Sequence, residues 1–181
     1  MSVADTPALD RKTAFLRLFD QYARALERLA GAYVAAREDR EDLVQEIAAA
    51  LWQALPGFRA EASERTWLYR IAHNVAITAS VRRRKRENRE IAPGERLDAP
   101  SAGASAEQNL LAEEKRRMLL EAIRQLPAPD RQITVLHLEG LSGAEIAEVA
   151  GLAEGSVATR LTRIREKLRR AIRAQEVGDA R

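Results

Sequence analysis

The sequence predicts an all-α protein made of two small helical domains joined by a linker. Apolar residues recur at intervals of three and four along most of the chain, which is the period of an amphipathic helix, and no segment shows the alternation typical of a strand. Aromatic residues make up only 4% of the chain, so the predicted cores consist of Leu, Ile, Val and Ala, as in small helical bundles. The helical pattern stops at residue 91, where Pro, Gly and Ser dominate, and it resumes near Glu107. We therefore expect a helical domain over residues 10–90, a flexible linker over 91–107 and a second helical domain over 108–175.

Three amphipathic helices are predicted in the first domain. The first spans residues 13–36, and the second spans residues 39–55, where Pro56 and Gly57 end it. Ser63 is placed to cap the third helix, which is expected to continue into a run of basic residues. The residues expected to face the core are Phe15, Leu18, Phe19, Tyr22, Leu26, Leu29 and Tyr33 in the first helix, Leu43, Ile47, Leu51 and Leu55 in the second, and Trp67, Leu68, Ile71, Val75 and Ala79 in the third.

The second domain ends in the pattern of a helix-turn-helix, between Gly140 and Arg173. Ser142 and Glu145 have the spacing of a capping box, and Gly151 is suited to the left-handed conformation that ends a helix. The helix after this turn has an apolar stripe formed by Val157, Leu161, Ile164 and Leu168. Its other face is basic and carries Arg160, Arg163, Arg165, Lys167, Arg169, Arg170 and Arg173.

Two interpretations of this basic helix are open. One is a solvated face on a protein-binding module, and the other is a recognition helix that lies in the major groove of DNA. The capping box, the turn glycine and the one-sided basic face together favour DNA binding.

Composition excludes several other classes of function. The chain has no cysteine, which excludes disulfides and thiolate metal sites, and its two histidines are too few for a zinc site. No nucleophile–base pair, phosphate-cradling glycine loop or carboxylate metal cluster is recognisable, so we expect a non-enzymatic protein that needs no cofactor. The first residues include no apolar signal segment, and no run of about 18 apolar residues occurs, so a soluble, cytoplasmic protein is expected.

Three clusters in the first domain are candidate contact sites. Asp42, Gln45 and Glu46 share one helix face, which taken alone is an ordinary solvated acidic face. Trp67 lies among basic and amide side chains that suit the binding of unpaired bases, although Trp67 is also a candidate core residue. The basic run at residues 82–86 is either a phosphate-binding surface or a solubilising helix end, and its position beside Trp67 favours phosphate binding.

The chain resembles one family of transcription factors in both predicted domains. The first domain resembles region 2 of the extracytoplasmic-function (ECF) group of sigma-70 factors in the segments DREDLVQEIAAALWQALPGF, ERTWLYRIAHNVA and RRRKR. The second domain is similar to region 4 of the same group over LPAPDRQITVLHLEGLSGAEIAEVAGLAEGSVATRLTRIREKLR. The two matches occur in the order typical of the group, with a short linker and no region 3 domain. The resemblance implies a dissociable initiation factor that binds core RNA polymerase and directs it to promoters.

The resemblance also implies roles for particular residues. Asp42, Gln45 and Glu46 match the helix that docks on the clamp coiled coil of RNA polymerase. The loop over residues 57–63 and the helix after it match the part that captures flipped, unpaired bases of the −10 element. The implied −10 DNA-binding residues are Arg59, Trp67, Arg70, Asn74, Arg82, Arg83, Arg84 and Arg86. The implied −35 DNA-binding residues are Arg131, which matches a basic position near a DNA phosphate, and Ser156, Thr159, Arg160, Thr162 and Arg163.

The resemblance further implies promoter DNA, core RNA polymerase and an anti-sigma factor as partners. Neither domain is expected to need the other for its own core, so an anti-sigma factor could clamp the two together. A plain helix-turn-helix regulator is a rival function, but such a regulator would not need the first domain. A sigma mimic that serves as a decoy for an anti-sigma factor is a second rival, and the chain has no room for the receiver domain such adaptors usually carry. A helical nuclease would require a metal cluster that the sequence does not contain.

Overall fold

The computed structural model describes the backbone of residues 8–59, 61–87 and 106–179, and the side chains of residues 10–59, 61–85 and 113–175. This part of the chain contains seven α-helices, one short 3-10 turn at Leu55–Gly57 and no strand, which confirms the predicted all-α class. The helices are α1 (Ala8–Tyr33), α2 (Arg37–Ala54), α3 (Glu64–Glu87), α4 (Ala106–Gln125), α5 (Ala128–Leu138), α6 (Gly143–Ala150) and α7 (Glu154–Asp179). The predicted linker lies outside the described residues except for its last two positions, which belong to α4.

Helices α1, α2 and α3 form a bundle around an aliphatic core. Its completely buried leucines and isoleucine are Leu26, Leu29, Ile47, Leu51 and Leu68. The Leu55–Gly57 turn ends α2 at the predicted place, where Pro56 cannot donate a backbone hydrogen bond. The predicted cap of α3 is confirmed, because Ser63 Oγ accepts a hydrogen bond from the backbone N–H of Thr66 at 3.0 Å.

The core-facing side of α3 differs from the predicted one. Of the expected residues only Leu68 is completely buried, whereas Trp67, Ile71, Val75 and Ala79 are partly buried. The other buried residues of this helix are Thr66, Tyr69, Ala72, His73 and Ala76. Two of their polar atoms have hydrogen-bond partners: the Tyr69 hydroxyl donates to Glu139, and His73 Nδ1 is hydrogen-bonded to the Tyr33 hydroxyl.

Helices α6 and α7 form the predicted helix-turn-helix, and α5 packs against both of them. The capping box is complete: Ser142 Oγ accepts from the Glu145 backbone N–H at 3.2 Å, and Glu145 Oε2 accepts from the Ser142 backbone N–H at 2.8 Å. Gly151 ends α6 with a φ of 65°, which is the left-handed conformation that the sequence predicted. Val157 and Ile164 of α7 are buried, and Leu161 and Leu168 pack against the core beside them.

The two halves of the chain pack against each other. Helix α1 contacts α4 and α5, and α3 contacts α5 and α6. The buried side chains of both halves belong to one continuous cluster, which runs from Leu18 in α1 to Ile164 in α7. The surfaces that the sequence predicted to act on nucleic acid therefore lie in one compact arrangement.

Candidate nucleic-acid interface

Helix α3 presents a mixed aromatic and polar face close to its beginning. Trp67, Arg70 and Asn74 are spaced by three and four residues, so they lie along one side of the helix, and Arg70 and Asn74 are exposed. The Trp67 ring packs against Phe58, with ring centroids 4.9 Å apart. Trp67 is half-buried and thus contributes to packing while keeping an accessible edge. Arg59 is exposed in the loop that precedes α3.

The predicted basic run contacts the predicted acidic face. Arg82 Nη2 lies 2.6 Å from Glu46 Oε2, and Arg83 is paired with Asp39. Asp42 and Gln45 are exposed on α2, next to these pairs. Two further residues of the basic run were predicted to bind phosphate. Arg84 is exposed, and the side chain of Arg86 lies outside the described residues.

The first half of α7 carries most of the residues predicted to read duplex DNA. Ser156, Thr159, Thr162 and Arg163 are all exposed there, which is the placement that a recognition helix requires. Two other basic residues of α7 pair with a carboxylate of α5. Asp130 pairs with Lys167 at 2.9 Å and with Arg160 at 3.9 Å. The predicted −35 residue Arg160 is therefore half-buried against α5 while its neighbours on α7 point outward.

Arg131 does not occupy the exposed position that a phosphate contact would require in this arrangement. The residue is only 4% exposed, and its guanidinium donates to the backbone carbonyl oxygens of Arg124 and Leu126, which belong to the end of α4 and the residue after it. The same guanidinium lies 5.2 Å from the centre of the Tyr33 ring in α1. Burial lowers the pKa of Arg131. The Arg131 side chain of α5 thus contacts both the end of α4 and helix α1 of the first domain.

His73 is a core residue. It is completely buried, its Nδ1 lies 3.0 Å from the Tyr33 hydroxyl, and its Nε2 has no hydrogen-bond partner among the described residues. Burial lowers the pKa of His73 to about 3, so the imidazole is neutral at physiological pH.

Glu139 forms a polar contact between the two halves that the sequence did not predict. Its carboxylate accepts from Arg28 Nε at 2.7 Å and Nη2 at 2.6 Å, and from the Tyr69 hydroxyl at 3.2 Å. Arg65 donates to the backbone oxygens of Glu139 and Gly140. Arg28 and Glu139 are 111 residues apart, and a pairing across that separation leaves no local pattern that sequence analysis could detect.

A second interdomain ion pair involves a residue of the candidate strand-binding face. Arg70 Nη2 lies 3.0 Å from Glu148 Oε1, which is on α6 of the helix-turn-helix. Both side chains are 44% exposed. Helix α6 therefore covers part of the α3 face that carries Trp67 and Asn74.

An open groove lies between the two halves of the chain, away from the ion pair of Arg70 and Glu148. It has a volume of about 700 Å³ and is bordered by α1, α2, α4 and α5. Apolar side chains on it come from both halves, with Val44 from the first and Leu119, Leu120 and Ile123 from the second. Charged residues from both halves, such as Arg40 of α2 and Arg116 of α4, lie among them.

Neither a metal centre nor a membrane span is found in the described ranges. No group of three or more His, Asp or Glu residues there could hold a metal ion. None of the helices in those ranges combines the length and apolarity needed to cross a membrane.

Two protein families match the chain over the parts that carry these surfaces. The family described as Sigma-70 region 2 matches residues 18–87, which include α2 and α3. The family described as Sigma-70, region 4 matches residues 116–168, which include the helix-turn-helix.

Similar proteins and structures agree with these matches. The ECF RNA polymerase sigma-E factor of Haemophilus influenzae is 34% identical over 168 residues, which cover 89% of this chain and 88% of that protein. The ECF RNA polymerase sigma-E factor of Escherichia coli K12 is 33% identical over 162 residues, covering 86% of this chain and 84% of that protein.

Two solved structures share the fold. CnrH, in complex with the cytosolic domain of CnrY, matches with a TM-score of 0.67 and 23% identity over 95% of this chain and 93% of CnrH. The sigma factor RpoE from Bartonella quintana, in complex with the anti-sigma factor NepR, matches with a TM-score of 0.66 and 22% identity over 88% of this chain and 97% of RpoE. Taken with the family matches and the sequence identity to curated relatives, these likenesses lead to one conclusion: the chain belongs to the ECF group of the sigma-70 family of RNA polymerase sigma factors.

Proposed function

We propose that this sigma factor divides promoter recognition between α7, α3 and α2. Its function as a promoter-directing subunit of RNA polymerase follows from its family, and the proposal concerns which residues perform each step. The observation that carries it is that α7 and α3 each present an exposed face with the chemistry of a nucleic-acid contact. One face suits a duplex, and the other suits an unpaired strand.

Helix α7 reads the duplex −35 element. Ser156, Thr159, Thr162 and Arg163 are exposed on its first half, where a recognition helix contacts base edges. Arg163 can donate two hydrogen bonds to a guanine, and the hydroxyl groups can bind either a base or a phosphate. Arg160 is oriented by Asp130 and is suited to contact the DNA backbone beside the −35 element. Arg131 is not assigned to DNA in this proposal, because its side chain is buried and its Nη2 donates to two backbone carbonyl oxygens.

Helix α3 traps the −10 strand. Trp67 supplies an aromatic surface for stacking, and Asn74 supplies a donor and an acceptor for a base edge. Arg70 lies between them and Arg59 lies in the preceding loop, while the basic run beginning at Arg82 extends the positive surface along the helix. Extruding a base costs a few kcal/mol, which these contacts would offset.

Helix α2 docks on core RNA polymerase. Asp42 and Gln45 are exposed, and Glu46 forms an ion pair with Arg82 of α3. A basic partner surface fits this acidic face, and docking there would place the strand-trapping face of α3 beside the polymerase.

An anti-sigma factor is the proposed regulator. The similar structure of RpoE holds the anti-sigma factor NepR, and that of CnrH holds the cytosolic domain of CnrY. The groove of about 700 Å³ offers apolar side chains from both halves to a partner that binds them together. We place the chain in the cytoplasm, where polymerase acts, and assign it no catalytic activity of its own.

Transcription with purified, sigma-free core polymerase tests the proposed function. The template is fragmented genomic DNA from the source organism, and the 5′ ends of the transcripts are mapped. Adding the chain should create start sites that share a −35 and a −10 element. The matched variants Asn74→Ala and Arg163→Ala should reduce these transcripts, whereas Arg24→Ala on the exposed part of α1 should not. The proposal fails if the chain binds duplex DNA but initiates no specific transcripts, which is the behaviour of a plain helix-turn-helix regulator.

A further inference from the structure

One carboxylate of α5 lies beside two basic side chains of α7. Asp130 Oδ2 accepts a hydrogen bond from Lys167 Nζ at 2.9 Å, and Asp130 Oδ1 lies 3.9 Å from Arg160 Nη1. The Asp130 side chain is only 16% exposed, whereas those of Arg160 and Lys167 are 41% and 49% exposed. The carboxylate is therefore enclosed by the contact between α5 and α7, while the two bases remain partly accessible from outside.

The Asp130 carboxylate belongs to a well-anchored part of α5. Asp130 lies in the first turn of the helix, where a negative charge interacts favourably with the helix dipole. Its backbone oxygen accepts a hydrogen bond from Thr134 Oγ1 at 2.7 Å, and Thr134 is buried. The next residue, Arg131, is also buried and donates to the carbonyl oxygen of Leu126 at 3.0 Å. The position of the carboxylate is thus set by the packing of α5.

The two paired bases belong to a row of residues that includes part of the proposed −35 contact. Ser156, Arg160, Arg163 and Lys167 follow one another along α7 at intervals of four, three and four residues, which places them along one side of the helix. Ser156 and Arg163 are exposed. Residues proposed to read bases therefore alternate along this row with the two residues that Asp130 holds.

A basic side chain that moves freely can follow the phosphates of any DNA sequence. Phosphate contacts supply most of the affinity for non-cognate DNA and carry no sequence information of their own. A base that is paired with a carboxylate loses part of this gain, because a phosphate must compete with the carboxylate for the same donors. The gain is kept only where a phosphate arrives in the geometry in which the base is already held.

We propose that Asp130 is a specificity-determining residue of the −35 contact, an inference that rests on the proposed role of α7. Asp130 holds Arg160 and Lys167 in one orientation, so these side chains meet phosphates only in the register that Ser156 and Arg163 impose through their base contacts. On other sequences the two positive charges stay with the carboxylate and contribute little. Asp130 thus raises the ratio of cognate to non-cognate affinity without itself contacting a base.

The test measures the binding of the full chain to two labelled duplexes by fluorescence anisotropy over a series of salt concentrations. One duplex carries the −35 element that the mapped transcripts share, and in the other this element is scrambled. Asp130→Asn should raise the affinity for the scrambled duplex by about three- to tenfold and steepen its salt dependence by about one to two phosphate contacts, because both bases are released. The affinity for the cognate duplex should change by less than about twofold, so the ratio of affinities falls.

Further variants separate this role from a change in net charge or in folding. Glu166→Gln removes an equal charge from an exposed residue of α7 and should change the affinity for both duplexes by the same factor. Asp130→Glu keeps a carboxylate and should retain most of the wild-type ratio. In a chain that carries Arg160→Gln and Lys167→Gln, Asp130→Asn should no longer change the ratio, because the side chains through which it acts are gone. Asp130→Ser is a second neutral variant with the same expected result as Asp130→Asn, and urea denaturation checks the stability of each variant.

Three results would overturn the inference. Asp130→Asn could change the affinity for both duplexes by the same factor, as Glu166→Gln does, or leave the affinity for the scrambled duplex and its salt dependence unchanged. It could also still change the ratio when Arg160 and Lys167 are both replaced. A wild-type chain that binds the two duplexes equally would contradict the reading role of α7 as well, whereas a discriminating wild-type chain with an unchanged ratio in Asp130→Asn would contradict this inference alone.

Discussion

Arg82 Nη2 lies 2.6 Å from Glu46 Oε2, and this ion pair joins two surfaces with different proposed partners. Glu46 belongs to the acidic face proposed to dock on polymerase, and Arg82 begins the basic run proposed to hold promoter DNA. Because the two side chains are 54% and 45% exposed, the pair contributes little to stability and is easily exchanged for other partners. Polymerase that engages Glu46 would release Arg82 towards DNA.

Reversing the charge of Asp42 should weaken the binding of core RNA polymerase. Asp42 is exposed on α2, so Asp42→Lys replaces an attraction to a basic partner by a repulsion and is expected to lower the affinity by about tenfold. Affinity is measured by anisotropy of labelled chain titrated with core polymerase. Glu113→Lys is the control on α4. Loss of duplex DNA binding by Asp42→Lys would show instead that the substitution disturbs the fold.

Replacing Arg163 should reduce recognition of the −35 element. If Arg163 reads a base edge, Arg163→Ala weakens binding to the cognate duplex by about 1–3 kcal/mol and leaves non-cognate DNA nearly unaffected. Arg169→Ala, at an exposed position later on α7, should cause an equal loss on all sequences. The measurement is a competition between cognate and scrambled duplexes. An equal loss on both duplexes for Arg163→Ala would assign that residue to a phosphate.

Replacing Arg131 should cost stability more than it costs DNA recognition. Arg131→Ala removes donors from the carbonyl oxygens of Arg124 and Leu126 and the cation above the Tyr33 ring. We expect the free energy of unfolding to fall by about 2–3 kcal/mol, measured by urea denaturation. Exposed Arg163→Ala serves as the control and should change stability by less than about 0.5 kcal/mol. A stable Arg131→Ala variant with uniformly weaker DNA binding would support the phosphate role predicted from sequence.

His73 should make the protein sensitive to acid. Burial lowers its pKa from 6.5 to about 3, so below pH 6.5 the unfolded chain takes up a proton that the folded chain does not. The contribution of neutral His73 to the free energy of unfolding is therefore complete above pH 6.5. It decreases by about 1.4 kcal/mol per pH unit as the pH falls towards 3. His73→Asn should flatten this part of the stability profile in urea titrations at several pH values.

Local features of the fold were predictable from the sequence. The capping box at Ser142, the left-handed Gly151 and the cap at Ser63 are each confirmed, because such features depend on residues within a few positions of one another. The exposed face of α7 follows from its helical period in the same way. The residue roles assigned to these faces remain predictions.

The core face of α3 could not be predicted as reliably. Periodicity selected Ile71 and Val75 because they are apolar, whereas the structure buries Tyr69 and His73 instead. Both have polar atoms, and only a partner on another element makes their burial favourable. The burial of Arg131 has the same origin, since its carbonyl partners and Tyr33 are brought to it by packing.

The helical class, the positions of the turns and caps, and the family resemblance could all be read from the sequence. These follow from residue spacings of three to seven along a helix and from short local motifs. The packing of the helices was needed to reveal that Arg28 donates to the Glu139 carboxylate and that Glu148 pairs with Arg70. Those contacts join residues 111 and 78 positions apart, and their formation depends on how the two halves pack, which no local pattern encodes.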